Sequence, residues 1–245
     1  MRTKELLAER LPKPPATILD VGGGAGVYAL WLAGLGYEVH LIDPVPRLVD
    51  EAQRRSDEAD HGIESCSVGD ARELKWDDES VDAVLEFGPL YHLIDGDDRL
   101  WALREAFRVL KSGGQVFAAA ISRYASALDG LSRDLLADPA FQEMVIADLD
   151  EGIHRNDTGN LEYFTTAKFH RPDELQSELV EAGFSNVVVL GIEGPGWMLP
   201  DFEDRWQDSR RRDDILATAR RLENEPSIRG VSAHLLAVGA KKDER

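Results

Sequence analysis

A short glycine-rich stretch near the start of the chain limits its possible folds more than any other feature. An apolar run at residues 17–19 leads into Asp-Val-Gly-Gly-Gly-Ala-Gly at residues 20–26, and helical spacing of apolar residues follows at 27–35. Glycine lets the backbone turn sharply and lets a ligand approach without an intervening side chain. The helix that opens there begins with unpaired N–H groups, which attract carboxylate or phosphate. The stretch predicts a strand, a tight turn and a helix that cradle a ligand.

The spacing of the glycines distinguishes two classes of cofactor. In the dinucleotide fingerprint Gly-x-Gly-x-x-Gly, Gly22 and Gly24 fit the first two positions, but Val27 stands at the third. The stretch instead resembles the first motif of class I S-adenosylmethionine-dependent methyltransferases, Asp-x-Gly-x-Gly-x-Gly. The resemblance implies an acidic residue near the methionine end of the cofactor and glycines that let the cofactor lie across the strand end. The residues concerned are Asp20, Gly22, Gly23, Gly24 and Gly26. A tight turn that binds no ligand is the alternative.

Short apolar runs alternate with helical patterns over the first half of the chain. Strands are predicted at 17–21, 38–42, 63–68, 81–87 and 115–121, and helices at 27–35, 46–59 and 97–110. This order predicts parallel strands joined by right-handed helical crossovers. The helix before the fifth strand is expected to stop at the Lys-Ser-Gly-Gly sequence of residues 111–114.

The regular alternation breaks after residue 121. Two helix-like pieces (126–136 and 139–149) and a polar, aromatic stretch (152–170) precede a helix that ends near Ala182. Strands are then predicted at 186–192 and 232–240, with a helix near 208–223. Together with the resemblance, this predicts an α/β fold with a three-layer, doubly wound, Rossmann-like methyltransferase sheet of seven strands, the last one antiparallel. We expect one domain over 1–245, with a core at 14–121 and 172–240 and a helical cap insertion at about 122–171.

Carboxylates follow the second and third predicted strands. Asp43 can accept hydrogen bonds from both ribose hydroxyls of an adenosine, or it can cap the helix that begins after Pro44. The resemblance implies that Asp70 binds the exocyclic amine of adenine and that the backbone N–H of Ala71 reaches a ring nitrogen. An ordinary turn aspartate is the alternative for Asp70. At the end of the fourth strand, the resemblance implies that Phe87 lies beneath the transferable methyl group.

These motifs follow one another in order from residue 17 to 121. Gly-Pro-Leu-Tyr-His-Leu at residues 88–93 further resembles small-molecule methyltransferases of the ubiquinone-biosynthesis-like branch, often called type 11. Many members of the family carry an N-terminal helix over the cofactor, whereas only residues 1–11 precede the first strand here. We expect the lid to come from the insertion after residue 121 or from sequence upstream of Met1.

Charge and composition exclude several classes of binding partner. A formal net charge of -18 disfavours nucleic acid, because a polyanion repels the phosphate backbone. No stretch reaches the ~20 apolar residues that span a bilayer, and residues 1–10 lack a signal-peptide core. We therefore expect a cytoplasmic protein without a membrane partner. Cys66 is the single cysteine, and no His, Cys and Asp cluster has metal-ligand spacing, so we expect no metal. Acidic, lysine-poor composition motivates the hypothesis of a high-salt habitat.

Candidates for catalysis and acceptor binding lie after the fourth and fifth strands. His92 is the candidate general base, close to where the methyl group would lie, and a packing or capping role is its alternative. Tyr91 is the candidate for positioning the acceptor or contacting the methionine moiety. Polar and aromatic side chains of the cap and a later loop are candidate acceptor contacts, with surface or packing roles as the alternative. They are Tyr124, His154, Arg155, His170 and Trp197.

The sequence thus predicts transfer of a methyl group from S-adenosylmethionine to an O or N atom of a small-molecule acceptor, with S-adenosylhomocysteine as product. Two alternatives stay open at this point. One is a nicotinamide-dependent oxidoreductase on a related half-sheet, and the other is a non-catalytic cofactor-binding protein. We expect a monomer or homodimer.

Overall fold

The computed structural model describes residues 1–242. The strands are β1 (Thr17–Val21), β2 (Glu38–Asp43), β3 (Ser65–Val68), β4 (Val81–Glu86), β5 (Leu110–Ser122), β6 (Ile153–His154), β7 (Ala167–His170), β8 (Ser185–Gly191) and β9 (His234–Ala240). The α-helices are α1 (Arg2–Arg10), α2 (Val27–Ala33), α3 (Pro46–Asp57), α4 (Pro89–His92), α5 (Gly96–Val109), α6 (Ala125–Ser132), α7 (Pro139–Glu151), α8 (Pro172–Glu181), α9 (Phe202–Gln207) and α10 (Ser209–Leu222).

Seven of the strands lie side by side in the order β3-β2-β1-β4-β5-β9-β8. Strands β1 to β5 are parallel, whereas β9 runs antiparallel to both of its neighbours, β5 and β8. The predicted α/β sheet with an antiparallel last strand is therefore confirmed. Because β1 and β4 are adjacent and their connections leave in opposite directions, the order of the strands reverses here, where such sheets bind ligands.

Buried apolar side chains cover both faces of the sheet and make the three layers. On one face, Val84 of β4 packs with Leu103 of α5 and Leu175 of α8. On the other, Leu85 of β4 packs with Leu32 of α2, and the same cluster includes residues of α1 and α3. Neighbouring residues of a strand point to opposite faces, so β4 is apolar at the consecutive positions Ala83, Val84 and Leu85, which face both layers.

Helix α1 was not predicted, because charged side chains dominate residues 1–10. Leu6 and Leu7 are fully buried in the core. The guanidinium of Arg2 forms ion pairs with Glu5 and Glu223, which ties the helix to the end of α10. No residue of α1 lines the cleft described below, as far as the described residues show.

Two further predictions were wrong in detail. The sequence predicted a helix to 110 with a stop at 111–114, but α5 ends at Val109, and Leu110 already pairs with Val81 in the sheet. The stretch 152–170 was predicted without strands. There β7 pairs parallel with the end of β5, opposite Ile121 and Ser122, and β6 pairs antiparallel with β7. These pairs are short, so alternation of apolar and polar residues gives too weak a signal to detect them.

Candidate functional site

A cleft with a volume of about 560 Å³ opens at the carboxyl ends of β1, β2 and β4. The glycine turn after β1, the loops after β2 and β3, and helix α4 form its walls. The predicted site residues in its lining are Asp20, Gly22, Gly23, Gly24, Asp43, Asp70, Ala71, Phe87, Tyr91 and His92. Gly26 is not part of this lining. Residues from four separate loops thus meet at the sheet edge where a ligand is expected.

The glycine turn has a backbone that other residues rarely adopt. Gly22 and Gly24 have φ angles of 73° and 56°, in the left-handed region. A Cβ on Gly22 would lie 2.7 Å from Cδ of Pro89, so the turn packs directly against the first residue of α4. A Cβ on Gly24 would meet no described atom within 4 Å. The backbone of Gly24 therefore borders the open space of the cleft.

Asp43 ends β2 and is nearly buried, at 5% exposure. Its Oδ2 accepts a hydrogen bond from the Gly24 backbone N–H (2.9 Å), and its Oδ1 accepts one from the Val45 N–H (2.9 Å). Val45 is the residue before the first turn of α3. Asp43 therefore holds the glycine turn and the start of α3 in one arrangement. Each carboxylate oxygen can accept more than one hydrogen bond, so capacity remains for a ligand.

Asp70 follows β3 and is engaged by a neighbouring arginine. Oδ1 accepts from the backbone N–H and the Nε of Arg72 (both 2.9 Å), and Oδ2 accepts from Nη2 (2.6 Å). These bonds hold the pKa of Asp70 below its usual value. The same guanidinium also reaches Asp98 of α5 at 2.8 Å. The turn role of Asp70, the alternative considered from the sequence, is thus present in the geometry, although Asp70 still lines the cleft.

Two buried carboxyl groups stand without partners at adjacent strand ends. Neither oxygen of Asp20 in β1 or of Glu86 in β4 has a hydrogen-bond partner among residues 1–242. Burial raises the pKa of Asp20 to about 7, and the charge of Asp43 adds to the shift, while the Ala29 amide, whose geometry falls short of a hydrogen bond, opposes it. Burial alone raises the pKa of Glu86 to about 8. Such groups cost free energy unless a ligand or a proton satisfies them.

Aromatic rings form one end of the cleft. Tyr28 of α2 meets Phe87 edge to face, with ring centroids 4.9 Å apart, and the Tyr91 and His92 rings lie 4.7 Å apart. The Tyr91 hydroxyl donates to the Phe87 backbone oxygen at 2.8 Å, and burial raises its pKa. Burial lowers the pKa of His92, although Asp43 opposes this shift. His92 is therefore mainly neutral at pH 7, the form that accepts a proton.

Comparisons with known proteins identify the family. A family model described as a methyltransferase domain matches residues 19–118. A ubiquinone/menaquinone biosynthesis C-methyltransferase from Nitrobacter hamburgensis is 31% identical over 200 residues, which cover 76% of this chain and 74% of that protein. The chain belongs to the class I S-adenosylmethionine-dependent methyltransferases. Within them it is of the ubiquinone-biosynthesis-like type, as predicted, and it is an enzyme whose cofactor is S-adenosylmethionine.

Other similarities of this methyltransferase agree with that family. A ubiquinone biosynthesis O-methyltransferase from Azorhizobium caulinodans is 29% identical over 179 residues, covering 71% of this chain and 61% of that protein. The crystal structure of an S-adenosylmethionine-dependent methyltransferase from Methanosarcina mazei is similar in fold, with a TM-score of 0.66, 19% identity and 98% of each chain covered. The relatives thus include both C- and O-methyltransferases, and the oxidoreductase alternative is not supported.

The methyltransferase cleft fits the chemistry of this cofactor. S-adenosylmethionine carries a cationic sulfonium and an ammonium group, and the carboxyl of Asp20 lines the cleft with a pKa of about 7, so a cation beside it would favour its ionised form. At Gly24 the backbone borders open space, so a ligand can approach the turn closely. Asp43 and Asp70 line this same cleft rather than separate surfaces.

Three of the five predicted acceptor contacts are held by bonds within the fold. His154 is 2% exposed and lies between the Asp148 carboxylate (Nδ1 to Oδ2, 2.9 Å) and the Tyr163 backbone oxygen (Nε2 to O, 2.6 Å). His170 is fully buried and contacts Glu178 at 3.2 Å. Trp197 donates from Nε1 to the Val231 backbone oxygen at 2.9 Å.

The other two lie on the surface. Arg155 is exposed and pairs with Glu151 at 3.5 Å, while Tyr124, at 37% exposure, borders a separate depression beside Pro172. Within residues 1–242, none of the five predicted acceptor contacts is among the residues that line the cleft. Their predicted role in acceptor binding therefore gains no support from their positions.

Sequence reasoning missed four residues that the structure associates with the site. Tyr28, Leu48 and Arg72 line the cleft, and Glu86 is buried directly before Phe87. A signal existed for Tyr28, because it occupies the first turn of the helix that the glycine turn opens. A signal for Glu86 also existed, since an acidic residue interrupts the apolar run of β4. Arg72 bonds locally to Asp70 and also to Asp98 of α5, and no local pattern reveals this second contact.

Two properties of the described residues concern membrane-spanning helices and metal-binding groups. Among residues 1–242, none of the helices combines the length and apolar character required to cross a lipid bilayer. The same part of the chain holds no group of three or more His, Cys, Asp or Glu side chains able to bind a metal ion.

Proposed function

We propose that this methyltransferase transfers a methyl group to an O or N atom of a small-molecule acceptor, with His92 as general base. The observation that carries the proposal is a neutral, partly accessible imidazole in the cleft that also contains the glycine turn and the two acidic loops. When bound, S-adenosylmethionine supplies an already activated methyl group. The chain's own residues then have to orient the acceptor, exclude water and remove a proton.

We propose that the cofactor is held along the strand ends from Asp20 to Ala71. Asp20 is the anionic partner for the cationic groups at the methionine end, and the backbone of Gly22, Gly23, Gly24 and Gly26 forms the turn. Asp43 accepts hydrogen bonds from the ribose hydroxyls, while Asp70 and the Ala71 amide bind the adenine edge. Support comes from the cleft lining that the other residues share. Gly26 does not line the cleft and contributes only through the shape of the turn.

We propose that Phe87 lies beneath the methyl group and that Tyr91 and His92 face the acceptor. Tyr91 is unsuited as a base at neutral pH, since burial raises its pKa and its hydroxyl proton is donated to Phe87. Neutral His92 has no side-chain hydrogen bond to another described residue, so its ring nitrogens are available. His92 is therefore the stronger candidate for taking the acceptor's proton.

We propose a small molecule as acceptor, because a net charge of -18 disfavours a polyanionic substrate. The segment 122–171 is our proposal for the cap, within one domain over 1–245. In support, β7 continues the sheet beside β5, and Tyr91 packs with Ile121 and Phe169 at that junction. Cytoplasmic location, a monomeric or homodimeric state and a high-salt habitat stay predictions from the sequence.

The test is a screen of small phenols, catechols, amines and quinols with detection of released S-adenosylhomocysteine. With an acceptor in hand, His92→Ala lowers turnover by about 10²–10⁴-fold while cofactor affinity is preserved. The rate of the wild-type enzyme falls as pH drops below the pKa of His92, because the imidazolium cannot accept a proton. His61→Ala, at an exposed histidine, is the matched control. Equal turnover of His92→Ala and wild type across the pH range contradicts the base role.

A further inference from the structure

The turn between α4 and α5 is held by an arginine that the proposed chemistry does not use. Leu93 and Ile94 follow His92 directly, and their backbone oxygens lie at the end of α4, where a helix leaves carbonyl groups unpaired. Nη1 of Arg99 donates to both, at 3.0 Å to Leu93 and 2.8 Å to Ile94. Arg99 is only 6% exposed. One buried cation thus fixes the two residues next to His92.

The opposite side of the same guanidinium is held by Glu178 of α8. Nε of Arg99 donates to Oε1 at 3.0 Å and to Oε2 at 3.2 Å, and Nη2 donates to Oε1 at 2.7 Å. A planar guanidinium that meets a carboxylate through two nitrogens has little freedom to rotate. The direction of Nη1, and with it the position of the turn, is therefore set by a helix that lies 79 residues away in sequence.

His170 of β7 completes the arrangement. Its Nε2 donates to Oε2 of Glu178 at 3.2 Å, and its side chain is fully buried. Burial opposes the charge of Glu178, but the bonds from His170 and Arg99 outweigh it and lower the pKa of Glu178 to about 2. Glu178 is thus a carboxylate at neutral pH that accepts from both neighbours. We call these three residues the Arg99–Glu178–His170 network.

The other contacts of α4 hold its start and its middle, so its C-terminal end is held by this network. At its start, Pro89 packs against the glycine turn at Gly22. In its middle, the ring of Tyr91 packs with Ile121 and Phe169. Among residues 1–242, the His92 ring has a ring contact with Tyr91 and no side-chain hydrogen bond, so its position follows the backbone on either side of it. Arg99 holds that backbone on the C-terminal side.

We infer that the Arg99–Glu178–His170 network positions His92 in the cleft, and that it transmits the placement of β7 and α8 to the end of α4. Arg99 is a positioning residue, because it contacts the turn and not the cleft. The inference deepens the proposed function and rests on it for the importance of His92. It also gives His170 a role through Glu178 in place of acceptor binding.

The test uses the whole protein and two readouts that need no acceptor. Arg99→Gln removes the planar guanidinium and its positive charge. We expect amide hydrogen exchange at Leu93, which donates to the Pro89 oxygen at 2.8 Å, to accelerate about tenfold or more by local opening. We expect the NMR titration midpoint of the His92 imidazole to rise towards its ordinary value, since a released side chain loses the burial that lowers it.

Arg104→Gln is the matched control, because Arg104 lies on the same helix and is exposed. Arg99→Lys keeps the positive charge but lacks the planar guanidinium, so we expect an intermediate effect on both readouts. Glu178→Gln keeps the side-chain shape and replaces Arg99→Gln in the same measurements should the latter not fold.

Two results overturn the inference. One is exchange at Leu93 and a His92 midpoint in Arg99→Gln that equal those of Arg104→Gln. The other is exchange that accelerates equally at Leu93 and at remote strand residues such as Leu236, which marks general destabilisation. Failure of the base proposal is a different result, full turnover in His92→Ala, and it leaves these two readouts unaffected.

Discussion

The strand ends that line the cleft and the segment 122–171 both contain buried polar side chains, but they use them differently. At the strand ends, the carboxyl groups of Asp20 and Glu86 have no partner among the described residues. In the segment, the ring nitrogens of His154 contact an aspartate and a backbone oxygen, and His170 contacts Glu178. Ser126 Oγ, Asp148 Oδ1 and His170 Nδ1 in the segment also lack a partner among the described residues, but both histidines are bound within the fold, whereas neither oxygen of Asp20 or Glu86 is.

This difference separates binding roles from structural ones where residue type does not. A buried polar group without a partner lowers stability, so its presence beside a cleft favours a role in binding. A buried group whose partners lie within the fold already contributes to stability, and a ligand would have to displace them. Histidine and carboxylate residues occur in both regions, so only their partners distinguish them.

The largest expected effect tests the unpaired carboxyl groups at the strand ends. Glu86→Leu stabilises the protein increasingly as pH rises, by up to ~4 kcal/mol at pH 9 relative to pH 4. Burial raises the folded-state pKa of Glu86 to about 8 from an ordinary value of 4.5. The folded wild type therefore holds an extra proton between these values and loses stability as pH rises through them, whereas the variant does not.

Urea unfolding at pH 5, 7 and 9 measures this effect. Glu64→Leu serves as control, because Glu64 is an exposed glutamate. A stability difference between Glu86→Leu and wild type that stays constant with pH would mean that Glu86 finds a partner in solution. The unpaired character of the strand ends would then be lost.

The next largest effect lies in the segment 122–171. His154→Ala leaves the buried carboxylate of Asp148 without its partner and lowers stability by ~3 kcal/mol near pH 6. Burial opposes the charge of His154, but the bonds to Asp148 and Tyr163 outweigh it and raise its pKa. The stabilisation is therefore present below the unfolded-state pKa of about 6.5 and is lost as pH rises through the raised folded-state value.

Thermal unfolding between pH 5.5 and 9 measures it, together with calorimetric binding of S-adenosylhomocysteine. Affinity for S-adenosylhomocysteine should equal that of wild type, because His154 lies outside the cleft lining. The exposed His234, paired with Glu193, gives the control variant His234→Ala. A fall in cofactor affinity in His154→Ala, but not in His234→Ala, would show that His154 takes part in cofactor binding.

A mutation at the strand ends is expected to affect binding more than stability. Asp43→Ala weakens S-adenosylhomocysteine binding by ~1–3 kcal/mol, through lost bonds to a charged acceptor and a loosened glycine turn. Asp43→Asn retains an acceptor oxygen and loses less. Calorimetry at constant pH gives both values, with the surface variant Asp50→Ala on α3 as control. Unchanged affinity in Asp43→Ala rejects the ribose role.

Local sequence predicted the strand ends far better than the roles of the segment 122–171. Strands β1, β2 and β4 contain short apolar stretches (Ile18-Leu19, Leu41-Ile42 and Ala83–Leu85) that are soon followed by turn residues, so both the stretch and its end are visible. The roles of His154 and His170 depend on Asp148 and Glu178, which reach them only in the folded chain. A pattern of neighbouring residues cannot reveal that a side chain already has its partners.

The same reasoning accounts for the missed residues. Leu6 and Leu7 anchor α1, but charged neighbours hide its apolar face in a short sequence. Arg99 resembles any arginine on an amphipathic helix until α8 supplies Glu178.

The smallest expected effect tests the exposed side of the segment. Arg155 and Glu151 pair at 3.5 Å, and more than half of each side chain is exposed, so Arg155→Ala changes stability by less than ~0.5 kcal/mol. S-adenosylhomocysteine affinity stays at the wild-type value. The informative measurement is the KM for an acceptor found by the screen, at saturating cofactor. A KM equal to that of Glu151→Ala keeps Arg155 on the surface, whereas a KM raised only in Arg155→Ala would show that this part of the segment reaches the acceptor and that pairing within the fold does not exclude a binding role.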